Sequence, residues 1–362
     1  MSSLAEVKQK IEARERITEA DALLLFEQAD LDYLCTTADT IRREKHGDKA
    51  FFNRNIHFEP TNKCVYACKF CSFARKPKAT EEEGAWDYGF DDLQEKLDVY
   101  DSGAISEVHI TGGVHPDRGV DFGEKLVSFI KEQRPEIHVK AFTAVEITWF
   151  ARVSKLSVEE TLIRLRDAGL NSLPGGGAEI FNPQIRRKIA GGKAPADRWL
   201  EVHGTAHKIG LSSNATMLYG HIESYADRVD HMAQLRRLQD ETGGFNSFIP
   251  LRYRNENNSM SNLAEVSMDE DMRNFAVARI FLDNIPHLKA YWVMLGVKEA
   301  FHALDCGVDD LDGTVDDSTK IYSMAGSIEN PTLSSDFLID QIRERGFTPV
   351  ERDSIYQEVQ VY

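Results

Sequence analysis

Apolar and polar positions along this chain change their period again and again. Short runs rich in β-branched and aromatic residues alternate with longer stretches whose apolar residues recur every three or four positions. The first 50 residues are helix-patterned, and Thr18, just ahead of Glu19, opens one of the helices. Strands are expected near Ile56–Pro60, Glu107–Thr111, His138–Phe142, Ser172–Pro174, Ser213–Leu218, Ser247–Leu251, Leu288–Trp292 and Asp310–Gly313. Helical stretches such as DDLQEKLDVYDSG and SVEETLIRLRDAG separate them, and several end in glycine, as helices that lead into strands do. Eight alternations predict an α/β fold, a TIM-type (β/α)8 barrel rather than an open doubly wound sheet. The organisation expected is a helical extension over 1–50, the barrel over 51–320, and a C-terminal extension over 321–362 packed on it.

Barrels of this kind carry their chemistry at the C-terminal ends of the strands. Glycine-rich and polar residues should therefore follow each strand, and they do. TGGVHPD, TAVE, GGGAE, YGHIE and RYRNENN each come directly after one of the expected strands.

Composition narrows the function. The 362 residues are 42% hydrophobic and 28% charged, ordinary values for a soluble globular chain. A formal net charge of −16 argues against a nucleic-acid partner and against anionic lipid, both of which need a basic face. No stretch reaches the roughly 18 uncharged apolar residues of a membrane helix, and the charged N-terminus lacks the apolar block of a signal peptide. The cytoplasm is the expected location. In that reducing compartment clustered cysteines imply a metal or catalysis before a disulfide.

Three of the five cysteines, Cys64, Cys68 and Cys71, fall in the segment NKCVYACKFCSFAR, just after the first expected barrel strand. Thiolates suit iron–sulfur clusters, zinc or copper(I). Three of them on one tight loop can hold three irons of a [4Fe–4S] cube and leave the fourth iron open, as catalytic metal sites keep a position free. The alternative is a structural zinc completed by a distant Cys or His, but zinc sites usually come as paired Cys-x2-Cys units and no second pair exists. Cys35 and Cys306 stand alone in helical contexts and are expected to be buried small hydrophobes rather than ligands.

The Cys-x3-Cys-x2-Cys spacing, with Phe70 before the last cysteine, resembles the radical S-adenosylmethionine superfamily. In that superfamily the open iron binds the amino and carboxylate groups of S-adenosylmethionine, and one electron cleaves its carbon–sulfur bond to give methionine and a 5′-deoxyadenosyl radical. The segments VHITGGVHPD, VKAFTAVEITWF, SLPGGGAEIF, SNATMLYGHIE and DNIPHLKAYWVMLG extend the likeness over nearly the whole chain, and resemble the aminofutalosine synthase family of menaquinone biosynthesis. Its sister, the dehypoxanthine futalosine cyclase, typically carries Thr-Thr-Ala-Thr where this chain has Ser213-Asn214-Ala215-Thr216. The deazaflavin-cofactor synthases differ at the PGGGAE turn. The resemblance implies addition of the adenosyl radical to 3-[(1-carboxyvinyl)oxy]benzoate, aryl migration, and loss of a carboxyl unit as bicarbonate. The product implied is 6-amino-6-deoxyfutalosine. A flavodoxin- or ferredoxin-type electron donor is implied as partner, and pairing into a homodimer is left open.

Site residues follow from the same likeness. Cys64, Cys68 and Cys71 are the expected cluster ligands, and Phe70, Gly112, Gly113, Glu179, Arg187, Arg198 and Asn214 the expected S-adenosylmethionine contacts. Gly112 and Gly113 would let backbone approach the methionyl amine, where a side chain would block it. Arg187 or Arg198 would pair with the methionyl carboxylate in two-pronged fashion, against the plainer reading of helix-surface charges. Thr143, Arg252 and Arg254 are expected to meet the substrate, whose two carboxylates call for cations at the mouth. The stretch Arg252-Tyr253-Arg254-Asn255 departs from the pattern expected there, a small residue, an aromatic and His-Pro. Glu146 and His221 are the expected catalytic groups, Glu146 as a proton relay whose pKa an apolar neighbourhood would raise. His109, His203, His207 and His231 are expected to be structural.

Overall fold

The structure is a computed structural model that describes residues 2–316, 321–326 and 331–362. The barrel boundary expected at residue 320 lies outside the described residues. Three helices lead in: α1 (Leu4–Glu12), α2 (Glu19–Gln28) and α3 (Leu31–His46). Thr18 caps α2 in a reciprocal box with Asp21, as its position in the sequence suggested.

All eight expected barrel strands have a counterpart, although the one expected over Leu288–Trp292 is only His287–Leu288, and Trp292 opens a short helix. In chain order, strands are β1 (Lys49–Asn53), β2 (Asn55–Phe58), β3 (Glu107–Ile110), β4 (His138–Ala141), β5 (Ser172–Leu173), β6 (Ser212–Tyr219), β7 (Phe245–Arg252), β8 (His287–Leu288), β9 (Asp310–Gly313), β10 (Thr348–Arg352) and β11 (Glu358–Val361). Strands β2 to β8 form one seven-stranded parallel sheet in sequential order, curled on itself. β9 is not a member of this sheet, which is a partial TIM-type barrel. It meets the chain after β8 through a single parallel bridge, Lys289 to Asp310, and pairs with β1, which runs straight into β2. β1, β10 and β11 were not expected from the sequence. They join β9 in a second sheet of order β11-β10-β1-β9, so the C-terminal segment is built into the fold through β1.

The alternation along the strands places polar residues inside the barrel. Val108, Ile110, Val139 and Ala141 are fully buried and alternate with Glu107, His109, His138 and Lys140. Register pairs His57 with His109 and His109 with Lys140, one polar row across β2, β3 and β4. Barrel interiors are usually filled by bulky branched apolar residues. Here part of that interior is ionic.

The Cys35 and Cys306 expectation needs correction. They are joined by a disulfide across 271 positions, tying α3 to the short turn Leu304–Cys306. Neither is a ligand, but they are a pair rather than two isolated side chains. Helical context gave no hint that α3 packs against that turn.

Candidate active site

The loop between β2 and the helix Phe90–Asp98 is pinned at both ends of its cysteine segment. Cys64 N–H donates to the Arg75 carbonyl at 2.8 Å, and Arg75 N–H returns to Asn62 at 2.8 Å. Asn62 is fully buried and also holds the carbonyls of Phe73 and Gly84. Lys69 N–H is anchored to Ile189, and Ser72 Oγ donates to the Glu256 carbonyl. The loop is thus fixed from three directions before any ligand arrives.

Gly112 and Gly113 serve this loop. A Cβ on Gly113 would lie 2.5 Å from the Lys63 carbonyl oxygen, and one on Gly112 would lie 2.8 Å from that of Thr61. Gly113 N–H donates to Thr61 at 2.7 Å. The close approach that demands glycine is therefore between the turn after β3 and the root of the cysteine loop. That adds a reason the sequence did not offer.

The three cysteines are free, half-buried, and line one cavity of about 310 Å³. Burial raises the Cys68 thiol and pushes that of Cys71 up to about 11. Without a metal these groups stay protonated, and loading one would displace protons. Among the described residues, the group of potential ligand atoms gathered within 4.8 Å of one another is His46, His287 and Asp309, at the other end of the barrel. Three soft donors on the wall of one cavity fit a cluster with a free iron better than a closed single-ion site.

The same cavity gathers most of the other expected site residues. Phe70, Gly112, Gly113, Thr143, Glu179, Asn214, Arg252 and Arg254 all line it. Glu179 and Phe142 are held in the left-handed backbone region, at φ +50° and +62°, where non-glycine residues are strained and cluster at functional sites. Thr143, next to Phe142, caps the helix Ala144–Ser154. Asn214 Oδ1 accepts from Ser247 at 3.1 Å. Arg252 donates to Asp271 at 2.9 Å, Arg254 donates to the Gly326 carbonyl at 2.7 Å, and Glu265 lies 3.3 Å from Arg254. Burial pushes the Asp271 carboxyl up to about 6.

Four expected residues lie elsewhere. Arg187 is exposed, and Arg198 is 42% exposed and paired with Glu201 on its own helix. The inward arginine is Arg186, one step earlier, which is buried and spends its guanidinium on the carbonyls of Gly177, Ala178 and Ala194. Glu146 is buried and turned back on the start of its helix, accepting 2.8 Å bonds from the N–H and the hydroxyl of Thr143. Burial raises its carboxyl to about 7. His221 accepts from Ile222 N–H at 2.7 Å, and its other ring nitrogen meets the Leu218 carbonyl.

Lys193, Lys140, Lys289 and His109 also line the cavity, and none was expected there. Lys193 Nζ donates to Glu179 at 2.5 Å and lies 5.7 Å from the centre of the Phe70 ring. Burial works against its charge, but Glu179 and Cys68 outweigh it and raise its pKa. Lysines within strand-like HVKA and HLKAYW, flanked by apolar residues, were the available signal. Five basic side chains line the cavity against two acidic ones, Glu179 and Asp312, in a chain of net charge −16.

Comparison with known proteins agrees with this geometry. Residues 58–235 match the Radical SAM superfamily and residues 242–362 the CofH/MqnC C-terminal region. The aminodeoxyfutalosine synthase of Thermus thermophilus is 43% identical over 99% of this chain and 96% of its own. That of Streptomyces coelicolor is 39% identical over 99% and 94%. The chain belongs to the aminodeoxyfutalosine synthase family of radical S-adenosylmethionine enzymes. Among solved structures, the hydrogenase maturase HydG of Carboxydothermus hydrogenoformans superposes with a TM-score of 0.74 at 16% identity, covering 98% of this chain and 80% of that one. This likeness supports the barrel. Family membership carries a [4Fe–4S] cluster and S-adenosylmethionine as the working pair, and the aminodeoxyfutalosine synthase family supplies the futalosine pathway as context. No helix among the described residues is long and apolar enough to cross a membrane.

Proposed function

We propose that the cavity joins the adenosyl part of S-adenosylmethionine to 3-[(1-carboxyvinyl)oxy]benzoate, with aryl migration and loss of a carboxyl unit that takes up one water to leave as bicarbonate, to give 6-amino-6-deoxyfutalosine and methionine. The observation that carries this reading is a single cavity with three free, half-buried thiols on its wall and five cations around it. Cys64, Cys68 and Cys71 hold the cluster. When bound, the cluster supplies the electron that breaks the carbon–sulfur bond of S-adenosylmethionine.

Every other task falls to the chain. Glu179 and Lys193 stand as a paired anion and cation, complementary to the ammonium and carboxylate of the methionyl end. Thr143 and Asn214 offer hydroxyl and amide groups on the inner wall. Arg252 and Arg254 hold a substrate carboxylate, with Asp271 and Glu265 fixing their orientation. The apolar wall, including Ile249, Leu251 and Met294, keeps water and stray hydrogen donors from the reacting carbons. Glu146 fixes Thr143 rather than relaying a proton. A flavodoxin- or ferredoxin-type protein delivers the electron, in the cytoplasm.

The test is an anaerobic reaction of reconstituted protein with S-adenosylmethionine, a reductant and 3-[(1-carboxyvinyl)oxy]benzoate, read by mass spectrometry. The expected result is a covalent adduct with the mass of aminofutalosine. Free 5′-deoxyadenosine with methionine and no adduct would overturn the substrate assignment and favour cyclase-type hydrogen abstraction.

A further inference from the structure

Five cations around one cavity are more than one carboxylate requires, and they do not sit together. Lys193 belongs with Glu179. Arg252 and Arg254 come from the end of β7 and the residues after it, sharing Glu265. Lys140 and Lys289 are different. Lys140 is the third residue of β4, inside the barrel, and Lys289 follows β8, bridged to β9. Both therefore lie within the strand layer, below the loops that carry the cysteines.

These lysines are deeply buried, with side chains 4% and 2% exposed, yet both line the cavity. Each is paired with an acid. Glu107 lies 2.7 Å from Lys140, and Asp312 lies 2.5 Å from Lys289. Glu107 does not line the cavity whereas Asp312 does, and Asp310 behind Lys289 is occupied by Arg352. An ammonium carries three N–H donors. Glu107 is the one hydrogen-bond acceptor of Lys140 among the described residues, and Asp312 that of Lys289. Donors remain for a ligand.

A buried ion pair is no better for stability than a packed apolar pair, so an ionic layer inside a barrel calls for another reason. Recognition of an anion is that reason here. The proposed substrate has a carboxylate at each end. Its alkene must face the cysteines, where the adenosyl group is released. The ring carboxylate then points the opposite way, into the barrel. Tyr291 and Tyr322, edge to face at 5.5 Å, line the same cavity and suit an aromatic ring.

We infer that Lys140 and Lys289 form the floor anchor for the ring carboxylate of the substrate, setting which end of the molecule meets the adenosyl group. This rests on the proposed function above. Arg252 and Arg254 are left to the enolpyruvyl carboxylate.

The experiment compares two substrates, 3-[(1-carboxyvinyl)oxy]benzoate and the same enol ether without the ring carboxylate. The wild type is expected to prefer the first by about 100-fold or more in kcat/KM, because the shorter compound leaves buried donors unpaired. In the double variant Lys140→Met/Glu107→Gln, which removes both charges of the pair together, kcat/KM for the full substrate should fall about 10- to 100-fold. That for the shorter one should stay within about threefold, so discrimination collapses. Retained wild-type discrimination, or equal loss on both substrates, overturns the anchor. Should the variant fail to fold, the wild type decides alone: equal use of both compounds overturns the inference. A wild type that forms no adduct from the full substrate sinks the proposed function instead, and the anchor with it.

Discussion

The two ends of this barrel use similar side chains for opposite purposes. At the base, around the start of β8 and β9, Asp309 and the side chains around it are closed on one another. Asp309 is fully buried and takes Arg279, the Leu288 N–H at 2.8 Å and His287 at 2.6 Å. His46 stacks on His287 and bonds the Pro286 carbonyl at 3.0 Å, while Tyr356 covers the other side of His287. The Asp309 carboxyl is held well below the usual range: burial would raise it, but Arg279 and His287 outweigh that. Towards the mouth, thiols, lysines and arginines border a cavity, and several keep donors unspent. Polar groups at the base hold the fold together, and those at the mouth are the ones the proposed function assigns to ligands. That division matches the rule that barrel chemistry sits at the C-terminal ends of strands.

The sharpest way to break the comparison is to remove one group from each end. Cys68→Ala should abolish turnover and prevent assembly of an intact cluster, while circular dichroism and thermal unfolding stay close to those of cluster-free wild type. Iron and sulfide per chain after anaerobic reconstitution give the readout. Normal turnover in this variant would refute the cluster assignment.

Asp309→Asn should do the reverse. It strands the Arg279 charge in a buried site, and breaking a buried pair from one side costs about 3–5 kcal/mol. The variant should unfold at a clearly lower temperature, yet its folded fraction should retain wild-type kcat/KM. A loss of activity without a loss of stability would mean that the base of the barrel takes part in the chemistry.

How far the sequence carried depended on the range of the interaction. The eight barrel strands follow from local pattern, and so does the α2 cap at Thr18. The cysteine loop and the glycine pair could be found because residues close in sequence form them. β1, β10 and β11 could not, since β1 pairs with residues nearly 300 positions away (Lys49 with Thr348). The same holds for Cys35 and Cys306. Lys140 escaped notice for another reason: a charge in a strand is ordinarily read as facing solvent, and here the polar face is the inside of the barrel.

The arginines show a finer limit. Arg186 and Arg187 are neighbours on one short helix, about 100° apart around its axis, and one is buried while the other is exposed. Composition cannot choose between them; only the phase of the helix does. Arg198, exposed and paired with Glu201, should therefore contribute almost nothing. Arg198→Ala is expected to change stability by no more than about 0.5 kcal/mol and to leave S-adenosylmethionine affinity within about twofold. Lys193→Met is the matched control from the mouth, since it removes a buried cation from Glu179. It should weaken that affinity by about tenfold or more, the scale of a lost charged hydrogen bond. Equilibrium dialysis of S-adenosylmethionine against reconstituted protein measures both. If Arg198→Ala weakened binding as much as Lys193→Met, the methionyl carboxylate would lie towards the outer helix, and the cavity would have to reach farther from β5 than its present lining allows.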